Sequence, residues 1–141
     1  MPNLFVEIVS PDRVAFSGEA QGVQAPGVEG SFEVLYNHAP MIAAFGVGAI
    51  RVTTPTGEQI FYATSGGFLE VIDNQVNVMA ETAEPATDID VERAKAAEER
   101  ALTRLRAAEG EPERHQAEQA LERARNRLRI SMGQVGHRAN V

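Results

Sequence analysis

The sequence predicts a β-sandwich followed by an antiparallel α-helical hairpin, and three observations carry that reading. Up to about Glu81, short runs rich in Val, Ile, Phe and Tyr recur between turn residues, the spacing expected of a sandwich or barrel. Pro85 then breaks the pattern, because it cannot donate to a central ladder. From Asp88 to Ala108 there is no Gly or Pro, and Ala, Glu, Arg and Leu dominate, which is helical composition. The expected boundaries are a sandwich over residues 1–85, a two-helix hairpin over 86–133 and a flexible tail over 134–141.

The elements follow in order. "LFVEIVS" is a strand that ends at the turn signal Ser10-Pro11-Asp12. "SFEVLY" and "MIAAF" flank Asn37-His38-Ala39-Pro40. There Asn37 tolerates left-handed geometry, Pro40 fixes its own φ, and Ala39 before it is pushed to extended conformations. "AIRVTT" and "EQIFYAT" flank Thr54-Pro55-Thr56-Gly57, a hairpin turn. "GFLEVI" and "QVNVMAE" flank Asp73-Asn74, a second hairpin whose two turn residues both accept positive φ. In that last strand Val76 and Val78 face one way, and Gln75 and Asn77 face the other.

The helical part opens at Thr87-Asp88-Ile89-Asp90, which reads as a capping box with Thr87 as the cap and Asp in place of Glu. Gly110 is expected to stop the first helix and Pro112 to open the second, which Gly133 ends. Ala94, Ala97, Ala101, Leu105 and Ala108 form a 3-4 stripe on the first helix. Ala117, Leu121, Ala124 and Leu128 form one on the second. An alanine seam brings helices close but buries little area, so at ~25 cal/mol per Å² it holds the hairpin marginally. Such a hairpin is suited to move.

The chain's 141 residues suit one domain with an appendage, and 43% hydrophobic content is enough for a packed core. The absence of cysteine excludes disulfides and thiolate zinc sites. The opening MPNLFVEIVS lacks a basic n-region, so no signal peptide is expected. No run is long and apolar enough for a spanning helix, so membrane contact is expected through a partner rather than by direct insertion. Residues 1–87 carry ten acids against Arg13 and Arg51, a charge of −8, which argues against a nucleic-acid surface there.

Two groups of polar residues invite a functional reading. His38 lies in a loop, where histidine often serves as a base or ligand. It has no HExxH spacing or GxSxG motif to support it, and His115 and His137 lie in the helical part and the tail. Turn-and-interface is therefore the main reading, with a base in an enzyme as the minor one. The second group is arginine. Arg93 and Arg100 share one helix face, and Arg123 and Arg127 share another. A solvated charged face is the plain explanation. Phosphate binding is the other, because Arg forks match phosphate oxygens.

The segments "PGVEGSFEVLYNHAPMIAAFGVG", "SGGFLEV" and "NQVNVMAE", followed by "DIDVERA" and "LERARNRL", resemble the epsilon subunit of bacterial F-type ATP synthase. The resemblance covers nearly the whole chain in order. It implies a β-sandwich of about ten strands and two C-terminal helices, at the foot of the rotating central stalk. It implies a non-catalytic rotor subunit, peripheral on the cytoplasmic side of the bacterial inner membrane. The gamma subunit and the c-ring would be its partners. The alpha/beta head would join them when the hairpin extends to block ATP hydrolysis.

Gly27 to Pro40 resembles the loop region facing the c-ring, so Ser31, Glu33, Tyr36, Asn37, His38 and Pro40 are interface candidates. The chain departs from the family pattern at Ser31, Glu33 and Tyr36. Gly66-Gly67 matches paired glycines that the family places before a core strand, where backbone approaches closely. "Ile89-Asp90-Val91-Glu92-Arg93-Ala94" is similar to the family's nucleotide motif. By that similarity Glu84, Ile89, Asp90, Arg93, Ala94, Arg100, Arg123 and Arg127 are ATP-binding candidates. ATP would be a regulatory ligand, with no cofactor required. A free-standing nucleotide-sensing module is the alternative.

Overall fold

The computed structural model describes residues 2–133, and the expected flexible tail over 134–141 lies outside them. The chain forms two compact units that divide between Ala86 and Thr87.

The first unit is a β-sandwich. Its strands are β1 (Leu4–Val9), β2 (Val14–Ala20), β3 (Gly22–Ala25), β4 (Phe32–Leu35), β5 (Met41–Phe45), β6 (Gly48–Thr53), β7 (Gln59–Thr64), β8 (Gly67–Ile72), β9 (Gln75–Ala80) and β10 (Ala83–Pro85). They form two five-stranded sheets, ordered β2-β1-β9-β8-β5 and β10-β7-β6-β3-β4. All pairings are antiparallel except β1 with β9.

Alternation drives the closure. Leu4, Val6 and Ile8 of β1, Leu69 and Val71 of β8, and Val76 and Val78 of β9 face Val23, Val34, Ile50 and Val52 of the other sheet in one buried cluster. Both predicted hairpins form. Asp73 and Asn74 take φ of 50° and 62°, as a two-residue turn with left-handed geometry at both positions requires. The Gly57 amide donates to the Thr54 carbonyl at 2.9 Å.

The paired glycines mark a close approach. A Cβ on Gly67 would lie 2.1 Å from the Met79 carbonyl oxygen, and one on Gly66 would lie 3.1 Å from that of Phe45. At β1–β2 the register slips between Ile8 and Val9, so Ala15 bulges out of the ladder. Its carbonyl accepts from the Tyr62 hydroxyl at 3.5 Å, a long bond linking β7 of one sheet to β2 of the other. Burial raises the Tyr62 pKa above its ordinary 10.0, against the smaller lowering influence of Arg13.

The second unit is the helical hairpin, α1 (Val91–Ala107) and α2 (Glu111–Ser131). Two expectations about its ends are corrected. Thr87 is not the cap: Ala86–Asp88 forms a single 3₁₀ turn, and Asp90 caps α1, its Oδ1 accepting from the Arg93 amide at 3.2 Å. The box pattern matched in sequence, but the tighter turn moved the helix start three residues on. Gly110 does not stop α1, which closes on Ala108 in extended geometry; Gly110 is instead the N-cap residue of α2, before Pro112. Gly133 follows α2 with φ of 72°, as a left-handed helix stop.

The seam is as thin as predicted. Ala94, Ala101, Ala117, Leu121, Ala124 and Leu128 are buried, while Ala97, Leu105 and Ala108 are only half-buried. Asn126 and Ile130, which lie off the stripe, are buried too.

Candidate functional site

The loop that carries His38 crosses from β4 in one sheet to β5 in the other. It begins as a turn in which the His38 amide donates to the Leu35 carbonyl at 3.1 Å. Asn37 takes φ of 65°, the left-handed geometry expected of it. The Asn37 amide donates to Asn74 Oδ1 at 2.6 Å, and Asn74 Nδ2 donates to Asn37 Oδ1 at 3.2 Å. The loop is thus clasped to the β8–β9 turn. His38 is half-buried, with Nδ1 2.7 Å from the Ala39 carbonyl oxygen, so one ring nitrogen is committed to the chain's own backbone.

The other interface candidates are spread around this end. Ser31, Tyr36 and Pro40 are exposed. Glu33 points outward from β4 and pairs with Arg51 Nη2 of β6 at 3.1 Å, reaching across Gln24 of β3.

Sequence reading missed a second feature. On the outward face of the sheet β2-β1-β9-β8-β5, Phe5, Ile42, Phe68, Ile72 and Met79 are between 45% and 71% exposed. Pairing sets them in rungs: Val9–Met79–Phe68–Ala44, then Glu7–Asn77–Glu70–Ile42, then Glu19–Phe5–Gln75–Ile72. These rungs carry three carboxylates and no cation. An outward sheet face is normally the polar phase of each strand, so apolar residues there make it a candidate interaction surface. The signal lay strand by strand, Phe68 and Ile72 on the phase opposite Leu69 and Val71, and Met79 on the phase opposite Val76 and Val78.

The nucleotide candidates divide between the units. Glu84 lies on β10 of the sandwich. Ile89 is buried ahead of α1, Asp90 is the cap, and Ala94 is fully buried in the helix seam. Arg93, Arg100 and Arg123 are exposed, and Arg127 is half-buried and engaged by a neighbour. An ion pair joins the helices, Arg125 Nε to Glu98 Oε2 at 3.0 Å. In an antiparallel hairpin this pair sets Arg100 level with Arg123. At about 100° per residue it lies on one side of the seam, and all four candidate arginines fall on the other. The fold therefore gathers Arg93, Arg100, Arg123 and Arg127 along one side of the hairpin, while acids and bases mix on the opposite side. Among the described residues, no group of three or more His, Asp or Glu is placed to hold a metal ion.

Comparison with known proteins agrees with this division. Residues 3–86 match the family model of the β-sandwich domain of the ATP synthase delta/epsilon chain, and residues 87–132 match that of its long α-helix domain. The chain is 58% identical to the ATP synthase epsilon chain of Salinibacter ruber over 143 aligned positions, covering 96% of each. It is 48% identical to that of Syntrophomonas wolfei over 126 positions, covering 89% of this chain and 92% of the relative. Among solved structures, a chain of the Euglena gracilis mitochondrial ATP synthase OSCP/F1/c-ring assembly superposes with a TM-score of 0.78 at 26% identity, covering 89% of this chain and 80% of that one. A chain of the Tetrahymena thermophila mitochondrial central stalk/c-ring assembly shares the fold, with a TM-score of 0.62 at 12% identity over 90% of this chain and 95% of that one.

Proposed function

This chain belongs to the delta/epsilon family of ATP synthase, as an epsilon chain, and from that premise we propose that its sandwich couples the c-ring to the gamma subunit while its hairpin restrains ATP hydrolysis. The epsilon chain is a stalk subunit of the complex and not its catalytic one. The observation that carries the coupling role is the outward sheet face with its apolar rungs and uncompensated Glu7, Glu19 and Glu70. A partner that buries this face must be apolar at its centre and basic at its rim. The gamma subunit is assigned to that face, and the c-ring to the end formed by Ser31, Glu33 and the Tyr36–Pro40 loop. In this reading the protein sits on the cytoplasmic side of the bacterial membrane during proton-driven ATP synthesis. It is held there by its partners, since no helix among the described residues is long and apolar enough to cross.

The arginine side of the hairpin supports the regulatory half. Arg93, Arg100, Arg123 and Arg127 lie along one side of the hairpin, with Arg127 already engaged by a neighbour, and a triphosphate would add oxygens that Arg forks match. ATP would therefore favour the hairpin as seen here, and release would follow when ATP falls. Ligand at about a hundred times its dissociation constant adds ~2.7 kcal/mol to the state that binds it, a large supplement to a thin alanine seam.

The test is reconstitution of enzyme stripped of this subunit. Phe68→Glu should weaken rebinding by tenfold or more, and a chain lacking residues 88–141 should rebind but leave hydrolysis faster. Calorimetry with ATP should show saturable binding that Arg123→Ala and Arg127→Ala both weaken. Rebinding of Phe68→Glu at wild-type strength would remove the docking face. Failure of the wild-type chain to co-purify with gamma would favour a free-standing nucleotide sensor instead.

A further inference from the structure

Asn37 and Asn74 lie 37 positions apart in sequence, one in the β4–β5 loop and one in the β8–β9 turn. Both sit at positive φ, 65° and 62°, where glycine is the residue the backbone alone would ask for. Asparagine is an ordinary choice at such positions, and what marks these two is that their side chains meet. Their side chains face each other and form the reciprocal pair described above, amide to Oδ1 at 2.6 Å and Nδ2 to Oδ1 at 3.2 Å. The carbonyl of Asn74 also accepts from the Phe5 amide at 2.9 Å, which ties the turn to β1. A loop that leaves one sheet is thereby fastened to the other.

We propose that this Asn37–Asn74 clasp is a positioning device, which holds the Tyr36–Pro40 loop in a single presentation for the protein partner at that end of the sandwich. The proposal rests on the reading above, in which that end meets the c-ring. Asn37, Tyr36 and Pro40 are exposed and His38 is half-buried, so the loop has little packing of its own to hold it. A clasped loop loses less freedom on binding than a free one, and the difference appears as affinity. Asn74 should matter more than Asn37. Removing the Asn74 side chain deletes both hydrogen bonds, whereas removing that of Asn37 leaves its main-chain amide still donating to Asn74.

Glycine makes the discriminating substitution, because Asn74→Gly keeps the positive φ and removes only the clasp. The full-length variants Asn74→Gly, Asn37→Gly, the double variant and Tyr36→Ala are each titrated into ATP synthase stripped of this subunit. Hydrogen exchange at the Asn37 amide is followed alongside. Asn74→Gly should melt within about 2 °C of wild type, exchange the Asn37 amide at least about tenfold faster, and rebind about three- to tenfold more weakly. Asn37→Gly should have a smaller effect, and the double variant should match Asn74→Gly alone. The proposal is overturned if Asn74→Gly rebinds like wild type while Tyr36→Ala does not, and the contact reading then stands. If Tyr36→Ala also rebinds like wild type, the loop meets no partner and the clasp proposal falls with that reading.

Discussion

Gly67 and Gly57 both have positive φ, 156° and 91°, yet they answer to different constraints. A Cβ on Gly57 meets open space, so only backbone strain opposes it. A Cβ on Gly67 would meet the Met79 carbonyl oxygen and, at 2.9 Å, the Ala80 Cα, both main-chain atoms of the paired strand. Gly57→Ala should therefore cost about 1 kcal/mol, and Gly67→Ala about 3 kcal/mol or more, read as urea midpoints of the two variants. Tyr62 offers a second test at this scale. Its pKa is raised by burial, so the neutral phenol is the form the fold keeps. The contribution tied to that shift is complete below the unfolded value of 10.0 and is lost as pH rises through the folded value. Tyr62→Phe should be less stable than wild type by about 0.5 kcal/mol at pH 7, since its 3.5 Å hydrogen bond is long. Above pH 10 that gap should narrow. Denaturant titrations at pH 7, 9 and 11 check the sign.

Within the hairpin, an ion pair and an alanine seam join α1 to α2. The Glu98–Arg125 pair is short but partly in solvent, its side chains 28% and 50% exposed, so screening leaves it little weight. Ala101, by contrast, is 1% exposed, buried in the seam. Glu98→Gln should change stability by less than about 1 kcal/mol and do less still in high salt. Ala101→Leu overfills the seam and should cost about 1–3 kcal/mol. Hydrogen exchange should show the loss in α1 and α2 amides while the sandwich strands keep their protection. If the strands lose protection equally, the hairpin is not a separate unit.

At the scale of the whole molecule, the sandwich closes its own core from both sheets, and all seventeen residues of that core lie within 4–83. A chain ending at Ala86 should accordingly unfold in one cooperative transition and rebind the stripped enzyme, with urea denaturation and titration as the measurements. A molten or non-binding fragment would mean that the sandwich depends on the helices. Deletion of the helices should leave the Gly67 penalty unchanged, since the Met79 and Ala80 atoms that set it lie before Ala86.

Periodicity and turn chemistry were sufficient, in the sequence by itself, for the sandwich, the hairpin turns at Thr54–Gly57 and Asp73–Asn74, and the alanine seam. These depend on neighbours close along the chain. The arginine side of the hairpin was half legible. Spacing showed that Arg93 shares a face with Arg100 and Arg123 with Arg127, but only the antiparallel register set by Glu98–Arg125 put the two faces on one side. The cap at Asp90 was misplaced because Thr87 and Asp90 together match a capping box, and the 3₁₀ turn over Ala86–Asp88 that takes up Thr87 is a choice made by the folded chain. The apolar outer face needed tertiary structure for a different reason. Phe5, Ile42, Phe68, Ile72 and Met79 each look unremarked in their own strand, and they become a surface only when β1, β9, β8 and β5 are laid side by side. Asn37 and Asn74 likewise read as two unrelated turn residues, since nothing local reports that two loops 37 positions apart meet. Local sequence sets which backbone shapes are cheap; which side chains then face each other across the sheets is decided by long-range pairing.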